Sequence, residues 1–199
     1  RGPFPALAFH DFVSHFEAVV FTESNITATM TPKDRLLQKI DARTAVVGVI
    51  GMGYVGLPLA LCFAEKGFRT VGLDIDPKKT EALCNGNSYI KHIPAERVQR
   101  CVRAGKLSAT TDFSQLALCD AVLITVPTPL TKNREPDLTY IISTCEAIVP
   151  HLHRGHLVVL ESTTYPGTTE EVVVPILERN GLKVDTDFFV AFSPEREDP

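Results

Sequence analysis

A short segment with three glycines has the residue types and spacing that bind the pyrophosphate of a dinucleotide. Its residues are Gly51, Met52, Gly53, Tyr54, Val55 and Gly56. It lies between the apolar runs 45–50 and 57–63, which predicts a strand, a tight turn and a helix. Gly51 allows a sharp turn, Gly53 lets a phosphate approach the backbone, and Gly56 lets the helix pack closely on the strand. Free N–H groups and the helix dipole then attract the phosphates, although glycine-rich turns also occur where only packing requires them.

An acidic residue supports the dinucleotide interpretation. Asp74 ends the apolar run 70–73, roughly 20 residues after the glycine segment, where a ribose-binding carboxylate is expected. Such a carboxylate accepts hydrogen bonds from ribose hydroxyls and repels a 2′-phosphate, and no arginine directly follows it. The sequence therefore predicts NAD rather than NADP as the cofactor; the alternative is an acid that is merely solvated at the end of a strand.

Three further polar segments each follow an apolar run. They are 126–129 (VPTP, with Thr128), 161–167 (ESTTYPG, with Thr163) and 192–196 (FSPER, with Glu195). Because the carboxyl ends of parallel strands meet at one edge of a sheet, we expect these segments to converge beside the glycine turn. The prolines fix extended loops, and the alternative interpretation of the first segment is a rigid surface turn.

Strand-like and helix-like segments alternate from residue 45 onward, which indicates an α/β fold with a parallel sheet. The predicted strands are 45–50, 69–74, 107–110, 121–126, 157–161 and 187–192. Six such strands predict a doubly wound Rossmann domain with strand order 3-2-1-4-5-6. We predict Asp137 as the N-cap of the helix between the fourth and fifth strands, a capping box at 168–171, and a helix end at Asn180-Gly181.

The chain divides into three predicted parts. Residues 1–29 form an N-terminal extension of uncertain origin, rich in phenylalanine, and 30–44 form a leading helix capped by Thr31 with Pro32 at its first position. Residues 45–199 form the dinucleotide-binding domain. A chain of 199 residues has room for one such core with appendages.

Composition excludes several other classes of protein. The net charge of −4 gives no electrostatic reason to expect nucleic acid as a partner, and no apolar stretch reaches the roughly 20 residues that span a bilayer. The five cysteines form no CxxC pair, so we expect reduced thiols in the cytoplasm, most of them small core residues. Three histidines, His151, His153 and His156, lack a fourth ligand for zinc, and we expect a solvated loop there.

These motifs, in this order, resemble the nucleotide-sugar 6-dehydrogenase family. The matching segments are 51–57 (GMGYVGL), 74–79 (DIDPKK), 126–129, 161–169 (ESTTYPGTT) and 193–195 (SPE). Members of this family oxidise the C6 alcohol of a UDP- or GDP-sugar to a carboxylate with two molecules of NAD. Segments 161–169 (ESTTYPGTT) and 193–199 (SPEREDP) together look most like the branch that acts on UDP-N-acetylhexosamines.

The resemblance implies a role for each matching side chain. Asp74 and Lys79 would bind the adenosine side of NAD, and Thr128 would contact the dinucleotide near its reactive end. Thr163 would lie at the nicotinamide or position a catalytic water. Glu195 would be the acid/base that helps water attack a thioester intermediate.

The resemblance also implies parts that these residues do not supply. The family's nucleophilic cysteine and catalytic lysine lie in later motifs that residues 1–199 lack, so we expect this chain to bind NAD without completing the oxidation. We expect a UDP-sugar substrate and a homo-oligomer for the full-length enzyme. Two alternatives stay open: a stand-alone NAD-binding or assembly module, and another hydride-transfer enzyme such as a β-hydroxyacid dehydrogenase.

Overall fold

The computed structural model describes residues 30–131 and 136–193. Its centre is a six-stranded parallel sheet in the order β3-β2-β1-β4-β5-β6. The strands are β1 (Val46–Ile50), β2 (Arg69–Leu73), β3 (Leu107–Thr110), β4 (Ala121–Ile124), β5 (Leu157–Leu160) and β6 (Phe189–Phe192). The predicted fold class and strand order are confirmed. The order reverses direction between β1 and β4, which is where ligands bind in open α/β sheets.

Helices cover both faces of the sheet. They are α1 (Pro32–Asp41), α2 (Gly56–Glu65), α3 (Pro77–Cys84), α4 (Ala95–Arg103), α5 (Thr139–Ile148) and α6 (Val174–Leu177). Side chains alternate between the faces because successive residues of a strand point in opposite directions. Val49 and Leu123 therefore pack with α2 and α4, whereas Ile50 and Ile124 pack with α5 and α6. Both faces are apolar, as a sheet buried on both sides requires.

The three predicted helix starts have different outcomes: Thr31 is confirmed, Asp137 is displaced by one residue, and the capping box is wrong. The Thr31 hydroxyl accepts the Asp34 N–H, so it caps α1. The N-cap of α5 is Leu138 and not the predicted Asp137, whose carboxylate nevertheless accepts the Thr139 N–H at 2.9 Å from one residue earlier. The capping box predicted at 168–171 is wrong. The Thr168 hydroxyl donates to the Tyr165 carbonyl and does not accept a backbone N–H from the first turn of the helix.

A wide π-helical turn, Thr169–Val173, takes the place of that capping box. Pro175 follows it in α6 and has no N–H to donate to the preceding turn. The Val174 N–H bonds five residues back, to the Thr169 carbonyl. A widened turn accommodates the proline ring, which would otherwise meet a carbonyl four residues earlier. A 3₁₀ turn, Glu178–Asn180, continues α6 and ends at Gly181, which has the positive φ of 88° expected from its sequence.

Three of the five cysteines are buried, as expected: Cys101, Cys119 and Cys145. Burial raises the pKa of the Cys119 and Cys145 thiols to about 12, so both remain protonated at neutral pH. Cys84 is exposed at the end of α3. Within residues 30–131 and 136–193, none of the helices combines the length and apolar character that a bilayer span requires. The predicted extension 1–29 lies outside the described residues.

Two stacked histidines, of which His156 is buried and His153 partly exposed, lie at the amino edge of the sheet, where β5 begins. His156 is fully buried, so a solvated loop is the wrong description of this residue. Its ring stacks on that of His153 at 4.2 Å, and neither of its nitrogens has a hydrogen-bond partner within the described residues. Burial lowers the pKa of His156 to about 3, and the nearby His153 ring adds to the effect.

We expect His156 to make the domain sensitive to acid. Between pH 6.5 and 3 the unfolded chain binds a proton at this ring that the folded chain does not. The free energy of unfolding should therefore fall as pH decreases, by about 1 kcal/mol per pH unit from this group. His156→Phe should flatten the slope in urea denaturation between pH 6.5 and 4.5, whereas His151→Phe, at a partly exposed histidine, should not. An equal slope in wild type and His156→Phe would contradict the assignment.

Candidate functional site

The glycine turn joins β1 to α2 at the carboxyl edge of the sheet. Gly51 has a φ of +97°, and its N–H donates to the Leu73 carbonyl at the end of β2. A Cβ on Gly56 would lie 1.9 Å from the Gly51 carbonyl oxygen. The sharp turn and the close helix packing expected from the sequence are both present. Each of these two glycines is required by the protein's own backbone.

Gly53 is different, because the protein itself does not require it. A Cβ at this position would meet no atom within 4 Å, so the space beside it is open. The N–H groups of Gly53, Tyr54 and Val55 have no acceptor among the described residues. Free donors at the start of a ten-residue helix, next to open space, fit a bound phosphate. The cradle is thus of the kind that a dinucleotide pyrophosphate occupies.

Thr125 ties the glycine turn to the neighbouring strand. Its buried hydroxyl lies 2.8 Å from the carbonyl oxygens of both Ile50 and Gly51. It would also lie 2.5 Å from a Cβ on Gly56. Sequence reasoning missed this residue, which directly precedes the 126–129 segment. Thr125 therefore sets the position of the turn relative to β4.

Asp74 lies one residue beyond β2 and is nearly buried. Its Oδ2 accepts the Met52 N–H at 2.8 Å and the Lys79 ammonium at 3.0 Å, while Oδ1 accepts the Asp76 N–H at 3.0 Å. Asp74 is therefore not a merely solvated acid. A carboxylate has about four acceptor positions, so one position on Oδ1 is left for a further donor.

Met52 contributes its backbone to the site and its side chain to the core. The side chain is fully buried against Gly72 of β2. Its N–H is taken by Asp74, and its carbonyl accepts the Tyr89 hydroxyl at 2.6 Å. Burial, with the charges of Asp74 and Asp76 adding to it, raises the pKa of Tyr89 well above its ordinary value. Tyr89 was also missed from sequence, since nothing in its local pattern points to the glycine turn 37 residues earlier.

Tyr54 is the most exposed side chain of the turn. It is 63% exposed, and its ring stacks on the His92 ring with centroids 6.2 Å apart. Val55, the residue before α2, is partly buried and makes no side-chain cap. Tyr89 and His92 belong to the loop between α3 and α4, so this one loop contacts the turn at two points.

The loops after β4 and β5 meet through two hydroxyl groups. The Thr128 hydroxyl donates to the Thr163 carbonyl at 2.8 Å, which brings two of the predicted site residues together. The buried Ser162 hydroxyl donates to the Val126 carbonyl at 2.7 Å. The convergence predicted for these two segments is present. Glu195, the third predicted member, lies outside the described residues.

The sequence relationships agree with this geometry. Residues 45–199 match the profile of the UDP-glucose/GDP-mannose dehydrogenase family, NAD-binding domain. The chain belongs to this family. Among its relatives is the UDP-N-acetyl-D-glucosamine 6-dehydrogenase of Pseudomonas aeruginosa, 42% identical over 155 residues, which cover 77% of this chain and 36% of that protein. The protein of the same name from Salmonella typhi is 42% identical over 154 residues, 77% of this chain and 35% of its own.

Solved structures of the dehydrogenase family share the fold. A ternary complex of GDP-mannose dehydrogenase from Pseudomonas aeruginosa superposes with a TM-score of 0.71 at 36% identity, covering 75% of this chain and 36% of that one. The UDP-D-ManNAc dehydrogenase of Pyrococcus horikoshii gives 0.73 at 36% identity, covering 77% and 37%. The chain thus spans about a third of the length of these dehydrogenases. The predicted family and the NAD cofactor are confirmed, and the β-hydroxyacid dehydrogenase alternative loses its support.

Proposed function

We propose that this chain is the NAD-binding part of a nucleotide-sugar 6-dehydrogenase that oxidises the C6 alcohol of a UDP-N-acetylhexosamine to the uronate. The observation that carries the proposal is the open cradle at Gly53. Its N–H groups have no acceptor in the described part of the chain, and the Asp74 carboxylate accepts the N–H of the adjoining peptide. The two relatives at 42% identity, both UDP-N-acetyl-D-glucosamine 6-dehydrogenases by name, support the choice of sugar.

Each site residue has a role in this proposal. The N–H groups of the glycine turn bind the pyrophosphate, and the remaining acceptor position of Asp74 takes a ribose hydroxyl while Lys79 balances its charge. Bound NAD supplies the hydride acceptor. The Thr128–Thr163 hydrogen bond fixes the two loops that face the reactive end. Glu195 serves as the proton acceptor when water hydrolyses the thioester.

The remaining features of the proposal concern the whole enzyme. A nucleophilic cysteine and a catalytic lysine come from a further region, and the complete enzyme associates with copies of itself. The reduced, unpaired cysteines support a cytoplasmic location. Neither nucleic acid nor a membrane has a part in this reaction.

Calorimetric titration of NAD into the chain tests the cofactor half of the proposal. We expect saturable binding of NAD and weaker binding of NADP, because Asp74 opposes a 2′-phosphate. If the folded protein does not bind NAD, the proposal is wrong.

A chimera tests the catalytic half. Residues 45–199 of this chain would replace the matching part of the Pseudomonas aeruginosa relative, which supplies the rest of the enzyme. The chimera should form two NADH per UDP-N-acetylglucosamine oxidised, with the unmodified relative as the positive control. A chimera that binds NAD but forms no NADH would instead favour a stand-alone NAD-binding module.

A further inference from the structure

Tyr89 connects the glycine turn to a loop that the nucleotide-binding motifs do not include. Its hydroxyl donates to the Met52 carbonyl at 2.6 Å, the shortest side-chain contact made to the turn among the described residues. Tyr89 as a whole is 37% exposed, whereas its hydroxyl is directed at the turn.

The Met52 carbonyl and the Gly53 N–H belong to the same peptide unit. That unit is planar and trans, so its C=O and N–H point in opposite directions and rotate together. Fixing the Met52 carbonyl therefore fixes the direction of the Gly53 N–H. This donor lies beside the open cradle and has no acceptor within residues 30–131 and 136–193. A glycine at position 53 has no side chain of its own to restrain this rotation.

The peptide unit before it is also held. The Met52 N–H donates to Asp74, so the two polar groups of Met52 are both fixed by side chains from other elements. The Met52 side chain is fully buried, which removes a further degree of freedom. Tyr89 and Asp74 thus hold the two backbone polar groups of Met52, and this restrains the orientation of the Gly53 N–H.

The loop that carries Tyr89 is itself well anchored. Ile90 and Ile93 are buried in the same apolar cluster as Met52 and Leu57. The Ser88 hydroxyl accepts the Ile90 N–H at 3.3 Å, and the His92 ring stacks on Tyr54. The hydroxyl is therefore presented from a rigid support, as a positioning group requires.

We propose that Tyr89 is a positioning residue for cofactor binding: its hydroxyl orients the Met52–Gly53 peptide so that the Gly53 N–H faces the pyrophosphate. The inference rests on the proposed NAD site. Tyr89 does not contact the cofactor in this role; it acts through the peptide.

Tyr89→Phe tests the proposal, since it removes the hydroxyl and keeps the ring. We expect NAD to bind about three- to tenfold more weakly by calorimetry, the loss that corresponds to one net hydrogen bond. ADP should weaken by the same factor, because it carries the same pyrophosphate. Tyr140→Phe, at a similarly exposed tyrosine on α5, is the matched control and should bind both ligands as wild type does.

A purely structural role for Tyr89 would lower the unfolding temperature of Tyr89→Phe, whereas a positioning role changes the Gly53 amide. The Gly53 amide resonance in the ¹⁵N spectrum of the free protein should shift in Tyr89→Phe and not in Tyr140→Phe, while the unfolding temperature changes little. If Tyr89→Phe binds NAD as tightly as wild type, or loses affinity for NAD but not for ADP, the positioning role is wrong. The proposed NAD site still stands in that case, provided that wild type binds NAD. Failure of the wild type to bind NAD would remove both proposals.

Discussion

Alanine at Gly53 is expected to abolish NAD binding in a protein that still folds, whereas alanine at Gly56 is expected to prevent folding. A Cβ at Gly53 meets nothing within 4 Å, and this residue does not have a positive φ, so the fold tolerates it. The methyl group would occupy the space that we assign to the pyrophosphate. Losing two charge-assisted hydrogen bonds there corresponds to at least about 100-fold in affinity.

At Gly56 the added Cβ would lie 1.9 Å from the Gly51 carbonyl oxygen and 2.5 Å from the Thr125 hydroxyl. Backbone atoms cannot move aside as a flexible side chain does, so α2 would have to leave the sheet. We expect a loss of roughly 4 kcal/mol or more in the free energy of unfolding, a large part of the stability of a domain this size.

Circular dichroism in urea and NAD calorimetry on the same two samples separate these outcomes. Gly53→Ala should unfold within about 1 kcal/mol of wild type and show no NAD binding. Gly56→Ala should be unfolded or aggregated before binding is measured. If Gly53→Ala binds NAD normally, the pyrophosphate does not lie at the open cradle.

Replacing Asp74 is expected to reverse the preference between the two dinucleotides. Asp74→Ser removes the charge that repels a 2′-phosphate and frees the Lys79 ammonium that Asp74 now holds at 3.0 Å. NAD should bind about 10- to 100-fold more weakly, since hydrogen bonds to a charged acceptor are lost. NADP should bind more tightly than NAD in this variant, because the freed ammonium attracts the added phosphate.

Asp76→Asn is the matched control for Asp74→Ser. It also removes one negative charge, two residues away, and asparagine retains the side-chain acceptor that caps α3 at the Lys78 N–H. Calorimetry with NAD and NADP should give the wild-type preference for this control. A preference that shifts equally in both variants would show that net charge near the site decides, and not the Asp74 carboxylate.

The sequence predicts those parts of the site that depend on local pattern. The strand order follows from the alternation of apolar runs. The roles of Gly51 and Gly56 can be predicted because the steric requirement at each arises within the turn between β1 and α2. The role of Asp74 can be predicted because one helix and one strand set its separation in sequence from the glycines. Thr128 and Thr163 were predicted to converge because their strands are neighbours, and the hydrogen bond between them agrees.

Other features depend on contacts that no local pattern reveals. Tyr89 reaches Met52 from a loop between two helices, and Thr125 reaches Gly51 across two neighbouring strands. His156 has the sequence pattern of one of three loop histidines, yet its position directly before β5 buries it at the amino edge of the sheet. The capping box failed because Pro175, several residues later, widens the first turn of the helix.

The Thr125 hydrogen bonds also constrain when this domain can acquire its ligand-binding form during synthesis. They close the turn with a residue 74 positions further along the chain, after β2 and β3. A nascent chain that has emerged only through β3 contains every glycine of the motif but not the strand that holds them. Contacts of such long separation form late because loop closure must precede them. Competence for the dinucleotide should therefore appear only once β4 has left the ribosome and docked beside β1.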